Sequence, residues 1–428
     1  MSETWGDLPK SQEDPTTVDQ EIDAKIQNHL DDPDAHLEAG QSLQSHKASE
    51  IIDHLARSIV TDKIAHGAVT AYEGDSTIKI GDCVVATENG DYDNIADAIA
   101  AGHVNIFLKP GTYQLGGRVD IPSGTKIFGI SKFNTIIDMA GDDVSFYLVG
   151  SFESLVQDVL FEGLSFINCD SACFVGDYID NITIRDCLFK DNLFAISFSS
   201  DHYNGTVGDI YIRNNEFVNS GFIEISSTYN QTESHCFIVE NRFIDCDAYC
   251  IMTNTINKYE FFYILDNIIQ YTSTKTFGYV IDAVNSWICR NRILGGNVGI
   301  RASDCNILDN QLNIQNDYGI YLYSDFSNVR GNAIYQVDGG SHAHGIYVNN
   351  SDYSTILNNV IDDCSGDGIR IDSSIEVVVN SNAVSSCNKG VYFMTGSNNC
   401  ICIGNLLKGN ATGVSNSGSG NDIAHNQV

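Results

Sequence analysis

Two carboxylates and a guanidinium, Glu224, Asp282 and Arg301, occupy related points in three segments of this 428-residue chain. Paired carboxylates suit general acid–base work. In inverting glycoside hydrolysis one protonates the leaving oxygen and the other activates water, across about 6.5–9.5 Å. Two repeat units of rise plus a two-residue offset put the Glu224 and Asp282 backbones roughly 12 Å apart, a gap that their side chains can narrow. Elimination is the other chemistry open to these residues. On a uronic-acid polymer Arg301 would neutralise the sugar carboxylate, and Tyr321 or Tyr323 would move the proton. Beside them Tyr321, Tyr323, Tyr347, Arg370, Asp372 and Tyr392 offer rings for sugars and charges for hydroxyls or acidic substituents. The same types also suit an ordinary exposed strand face or a subunit interface, because Tyr and Arg favour cross-strand packing.

These residues must be positioned by a repeat. The unit I-x-x-N-x-[I/L/F/V] recurs with its asparagine at Asn215, Asn241, Asn267, Asn291, Asn310, Asn332, Asn359, Asn382, Asn405 and Asn426. Two weaker copies centre on Leu164 and Cys187. From Leu164 to Asn426 is 262 residues in 11 steps, and a period of about 24 belongs to solenoids. A second unit, Gly-[Ile/Val], appears at Gly299, Gly319, Gly345, Gly368 and Gly390. Apolar residues at spacing two, rich in Ile, Val, Phe and Tyr and bounded by Asn, Asp, Ser and Gly, predict strands. A unit this short cannot bury its own apolar face, so the coils must stack. The fold expected is all-β, a right-handed parallel β-helix of about twelve coils, each rising roughly 4.8 Å. Inward asparagines would then hydrogen-bond from coil to coil.

Side-chain alternation places the residues two and four after the Gly position outside. Coil by coil that column reads Ser197/Ser199, Glu224/Ser226, Met252/Asn254, Val280/Asp282, Arg301/Ser303, Tyr321/Tyr323, Tyr347/Asn349, Arg370/Asp372 and Tyr392/Met394.

Composition bounds the partners. The formal charge of −33 argues against unassisted binding to nucleic acid or anionic membranes. No apolar run reaches the length of a membrane span, and the first residues lack the basic and apolar regions of a secretory signal. Membrane insertion and autonomous export are therefore not expected. The 13 cysteines show no CxxC pair, which favours packing over zinc or a disulfide framework. Cys169, Cys246, Cys364 and Cys387 recur five residues after the repeat anchor, as a corner column would. His342-Ala343-His344 has the spacing of a shared metal site but lacks a third ligand nearby, so a surface loop is expected. Neither a metal nor another cofactor is expected.

Residues 43–70 hold Leu43-Gln44-Ser45-His46-Lys47, Ile51-Ile52-Asp53-His54 and Ser58-Ile59-Val60-Thr61-Asp62-Lys63-Ile64-Ala65-His66-Gly67-Ala68-Val69-Thr70. This stretch resembles modules of phage and virus tail-fibre and tail-spike proteins. The run Asp93–Ile99, Ile106–Tyr113 and Ile121–Gly129 resembles the opening segment of pectate-lyase-like β-helix proteins, with a short Asp- or Asn-capped helix over the first coil. The two resemblances imply four segments: an attachment helix at 1–35, a stalk at 36–80, a β-helix start with its cap at 81–140, and the β-helix at 141–428. They also imply a homotrimer in a virion tail, joined to other tail or baseplate proteins, that recognises and in one form cleaves a host surface glycan. A non-catalytic structural or adhesive solenoid and a free polysaccharide lyase or hydrolase are the alternatives. Because Asn426 is followed by two residues, the last coil is expected to need a cap from a neighbouring subunit or another segment.

Overall fold

The two short units of the repeat form strands because their apolar residues alternate, and each strand buries one face. In the computed structural model residues 82–428 are described, apart from 142–144, 152–153, 200–206, 228–233, 247–248, 256–259, 273–277 and 315. The helix expected at 1–35 and the tail-fibre-like stretch lie outside the described residues. Among the described residues the chain winds through about 13 turns of a parallel β-solenoid. Its strands stack into a first sheet of 15, a second of 13 and a third of 12. The first sheet carries the strand before the repeat asparagine, such as Asn306–Leu308, and the third carries the strand after it, such as Gln311–Asn313. The second sheet carries the Gly-[Ile/Val] unit, as in Val298–Ser303. The all-β expectation holds, with about one coil more than the repeats alone suggested.

Between the first and third sheets the chain turns sharply in two residues. The residue before each asparagine takes the left-handed conformation, as Asp309 (φ 55°), Glu240 (φ 58°) and Arg290 (φ 55°) show. This conformation is uncommon for long side chains, so something must hold it. The asparagine ladder does so. Asn310 Nδ2 donates to the Ile288 carbonyl at 2.7 Å and to Asn332 Oδ1 at 2.9 Å, while its Oδ1 accepts from Asn291 N–H at 2.9 Å. The pattern runs from Cys187, whose N–H meets Asn215 Oδ1, to Asn426, whose Nδ2 reaches the Cys402 carbonyl. Buried amides that would each be costly alone are satisfied by their neighbours.

The Gly-[Ile/Val] unit marks a corner where successive coils nearly touch. A Cβ on Gly319 would lie 2.6 Å from the Gly345 carbonyl, and one on Gly345 would lie 2.6 Å from that of Gly368. At these coils only glycine fits the corner. Inside the coils, the inward position of the third sheet passes from Phe189, Phe217 and Phe243 to Ile269, Ile293, Leu312 and Ile334. The phenylalanines stack face to face, 4.8 Å and 4.6 Å apart. Each fully buried side chain of this kind contributes roughly 1.5–3 kcal/mol.

The cap is as expected. Ile95–Ala100 is a helix whose N-cap Asn94 accepts from Asp97 N–H. Ile95 and Ala98 are buried and Ile99 packs partly against the core, closing the first coil. All 13 cysteines are buried. Cys364 and Cys387 are buried at the third-sheet corner, where Cys387 Sγ donates to the Ser385 carbonyl at 3.1 Å, in keeping with the packing role. No helix among the described residues is long and apolar enough to cross a membrane.

Candidate functional site

The outer face of the second sheet carries the predicted residues, and backbone register sets their order. Ser197, Glu224, Met252, Asp282, Arg301, Tyr321, Tyr347, Arg370 and Tyr392 are successive partners in one column. This corrects the expected position of Asp282. Ile281 pairs with Ile300, so buried Val280, not Gly278, occupies the corner place that Gly299 takes in the next coil. Asp282 therefore stands directly in the Glu224 column, two coils on, with backbones about 9.6 Å apart by rise alone. Met252 lies between them. Glu224 accepts from Ser197 Oγ at 3.2 Å.

Asp282 and Arg301 belong to a compact box. Arg301 Nη1 donates to Asp282 Oδ2 at 3.0 Å, and its guanidinium lies 4.7 Å from the Tyr279 ring centre and 4.2 Å from that of Tyr323. Such stacking over two rings favours a cation. Burial raises the Asp282 pKa despite Arg301. Burial, then the charge of Asp282, pushes Tyr323 up to about 12, so at neutral pH it is a phenol that donates protons and does not abstract them.

One and two coils beyond Arg301, Tyr321 and Tyr347 stack at 5.4 Å, with Tyr318 5.0 Å from Tyr347. Rings stacked along the solenoid axis turn their edges and hydroxyls outward. Tyr347 donates to Asp372 Oδ2 at 3.2 Å, and Tyr321 Oη accepts from Asn349 at 3.2 Å. Burial, then Asp372, raises the Tyr347 pKa. Next come Arg370, 5.7 Å from the ring centres of both Tyr347 and Tyr392, and Lys389, 3.5 Å over Tyr392.

A third column escaped the alternation count. Tyr318, His344, Asp367 and Lys389 each precede a corner glycine, where period-two counting sends them inward. Their ring and ion contacts put them against the outer column instead, because strand alternation restarts at the close-packed corner. The signal was present as the residue immediately before each Gly-[Ile/Val]. His344 Nδ1 accepts the Asp367 backbone N–H at 2.9 Å, and its Nε2 lies 3.2 Å from Arg370 Nη1. Burial, aided by Arg370, holds the His344 pKa down at about 3, while burial raises that of Asp367. The surface loop expected for His342-Ala343-His344 is half right. His342 is exposed at the end of a short 3₁₀ turn, whereas His344 opens the strand His344–Asn349 and is buried. Among the described residues no three His, Cys, Asp or Glu side chains gather as a metal site.

A further outer feature was missed. On the first sheet Tyr211, Phe237, Tyr263 and Trp287 are register partners, each preceding the Ile of a repeat. Tyr211–Phe237 and Phe237–Tyr263 stack at 5.3 and 4.8 Å within 9° of parallel, so their faces are spent on one another.

Comparisons with known proteins bear mainly on the fold. Residues 301–427 match the NosD family, described as periplasmic copper-binding protein, over less than a third of the chain. No curated protein is significantly similar to it in sequence. Among solved structures, the A-module of the Azotobacter vinelandii mannuronan C-5 epimerase AlgE6 is 14% identical over 78% of this chain and 92% of its own, with a TM-score of 0.51. A PL6 alginate lyase in complex with a trisaccharide is 13% identical over 80% and 86%, with a TM-score of 0.48. Tailspike protein 3 of bacteriophage CBA120 is 13% identical over 75% and 56%, with a TM-score of 0.38. At these identities the first likeness establishes the shared solenoid, and the other two add nothing to it.

Proposed function

We propose that the outer face of the second sheet, from Glu224 to Tyr392, is a recognition groove for an extended polysaccharide. In this reading the protein is a homotrimeric tail spike or fibre that uses the groove on a host surface glycan. The observation that carries the groove is the unbroken column of Asp282, Arg301, Tyr321, Tyr347, Arg370 and Tyr392, one per coil. Successive groups lie roughly 4.8 Å apart, which suits a polymer lying along the rod. The virion role is supported by the tail-fibre-like stretch at 43–70. The epimerase A-module with the same fold bears the name of an enzyme of mannuronan, which makes polysaccharides the first class to test.

Cleavage is the finer reading. Glu224 and Asp282 share one column at a rise compatible with an inverting pair, although Asp282 is tied to Arg301. Incubation with surface polysaccharides of candidate hosts, followed by size-exclusion and sedimentation analysis, tests both levels. Binding without chain shortening would remove the depolymerase and keep the receptor. A monomeric mass at micromolar concentration would remove the trimer.

A further inference from the structure

His344 is approached by two hydrogen-bond donors, and a neutral imidazole has one lone pair. The Asp367 backbone N–H points at Nδ1 from 2.9 Å, and this amide cannot change its donor role. Nδ1 is therefore the acceptor, and the proton sits on Nε2. There it faces Arg370 Nη1 at 3.2 Å, N–H against N–H. The His344 side chain is 2% exposed, so an incoming acceptor reaches Nε2 only as the half-open Arg370 guanidinium shifts from it.

Arg370 is itself short of an anion. Its Nε and Nη2 rest on the Met394 sulfur at 3.0 and 2.7 Å, a weak acceptor. The nearest carboxylate, Asp367, is 3.8 Å from Arg370 and also 3.8 Å from Lys389. One buried carboxylate is thus shared by two cations and closely bonded to neither. Asp372 is engaged by Tyr347 and Ser373, and Asp317 by Asn297. With His344 neutral, Arg370, Lys389 and Asp367 by themselves sum to one net positive charge, with the Asp372 and Asp317 carboxylates held by neutral donors beside them. Arg370 and Lys389 are 21% and 26% exposed, so the cationic side opens to the groove.

We propose that this cluster is a carboxylate subsite, in which a carboxylate borne by a sugar of the bound polymer accepts from His344 Nε2–H and Arg370 together, with Lys389 beside them. This rests on the groove reading for the source of the ligand. One oxyanion would turn the N–H against N–H contact into two hydrogen bonds and complete the charge balance, making the groove selective for acidic polysaccharides.

The probe is sodium glucuronate, titrated into the full chain labelled with 15N-histidine, with glucose and sodium sulfate as parallel arms. The His344 resonances are assigned by their loss in His344→Gln. The expected result is a saturable shift of the Nε2 signal with glucuronate and none with glucose. Its midpoint should rise about tenfold or more in Arg370→Met, the loss of one charge-assisted bond. The wild-type titration stands even where a variant folds poorly. No shift with glucuronate overturns the subsite, as does a shift that Arg370→Met leaves unchanged. Sulfate binding as tightly as glucuronate overturns the sugar-borne source. Neutral-glycan binding without a glucuronate response would sink the subsite alone. A glucuronate response without binding of any polymer would sink the groove alone.

Discussion

Replacing Asn310 by alanine tests the ladder on which every outer column depends. The change removes an acceptor for the Asn291 backbone N–H and for one Asn291 Nδ2 proton, and a donor to Ile288 and Asn332. The site is sealed, with Asn310 1% exposed. Two orphaned donors at about 1–3 kcal/mol each give a loss of roughly 2–6 kcal/mol, and the carbonyl, with a second lone pair, adds little. It should also free Asp309 from its left-handed turn. Since coils contact only their neighbours, the damage should be local. Hydrogen exchange by mass spectrometry should show faster exchange across 288–332, with the coils beyond Val384 unchanged, alongside a lower denaturation midpoint. Exchange and midpoint both equal to wild type would show that the ladder contributes nothing net.

Three further outcomes follow from named contacts. Gly319→Ala places a Cβ 2.6 Å from the Gly345 carbonyl, a backbone atom that cannot step aside, and should destabilise by about 1–3 kcal/mol; a denaturation curve superimposing on wild type would refute the corner argument. The lowered pKa of His344 means that between about 3 and the usual 6.5 the unfolded chain binds a proton that the folded one refuses. Stability should therefore fall as pH drops through that window, and the slope should shrink in His344→Gln, as read from urea midpoints at several pH values. If a surface polysaccharide is shortened, Glu224→Gln and Asp282→Asn should each slow it by 100-fold or more, on the order of the contribution of one acid–base group; unchanged rates in both would clear these carboxylates.

Much of the scaffold was legible because solenoid packing repeats its demands. The asparagine series, the corner glycines, the cysteine corner and the Asn94 cap all follow from one residue type answering one recurrent need. The outer face answers no such need: its main column was read in the right order, but particular positions were misplaced for physical reasons. Gly278 looked like a corner glycine, but Val280 holds that place, so Asp282 was set two residues aside of its true column. Tyr318, His344, Asp367 and Lys389 were lost because alternation was carried through a corner where it restarts. The outer aromatic ladder from Tyr211 to Trp287 was visible as the residue before each repeat Ile, but it lay on a sheet from which no outer column was read.

That ladder supplies the control for the central claim. Polysaccharide binding should be measured by calorimetry for the paired variant Tyr321→Ala/Tyr347→Ala against Tyr211→Ala/Tyr263→Ala, on a host glycan that the wild type retains. The two pairs remove equal aromatic area from different sheets. The groove account predicts at least a tenfold loss of affinity in the first pair and none in the second; equal affinity in the first pair, or loss confined to the second, would contradict it.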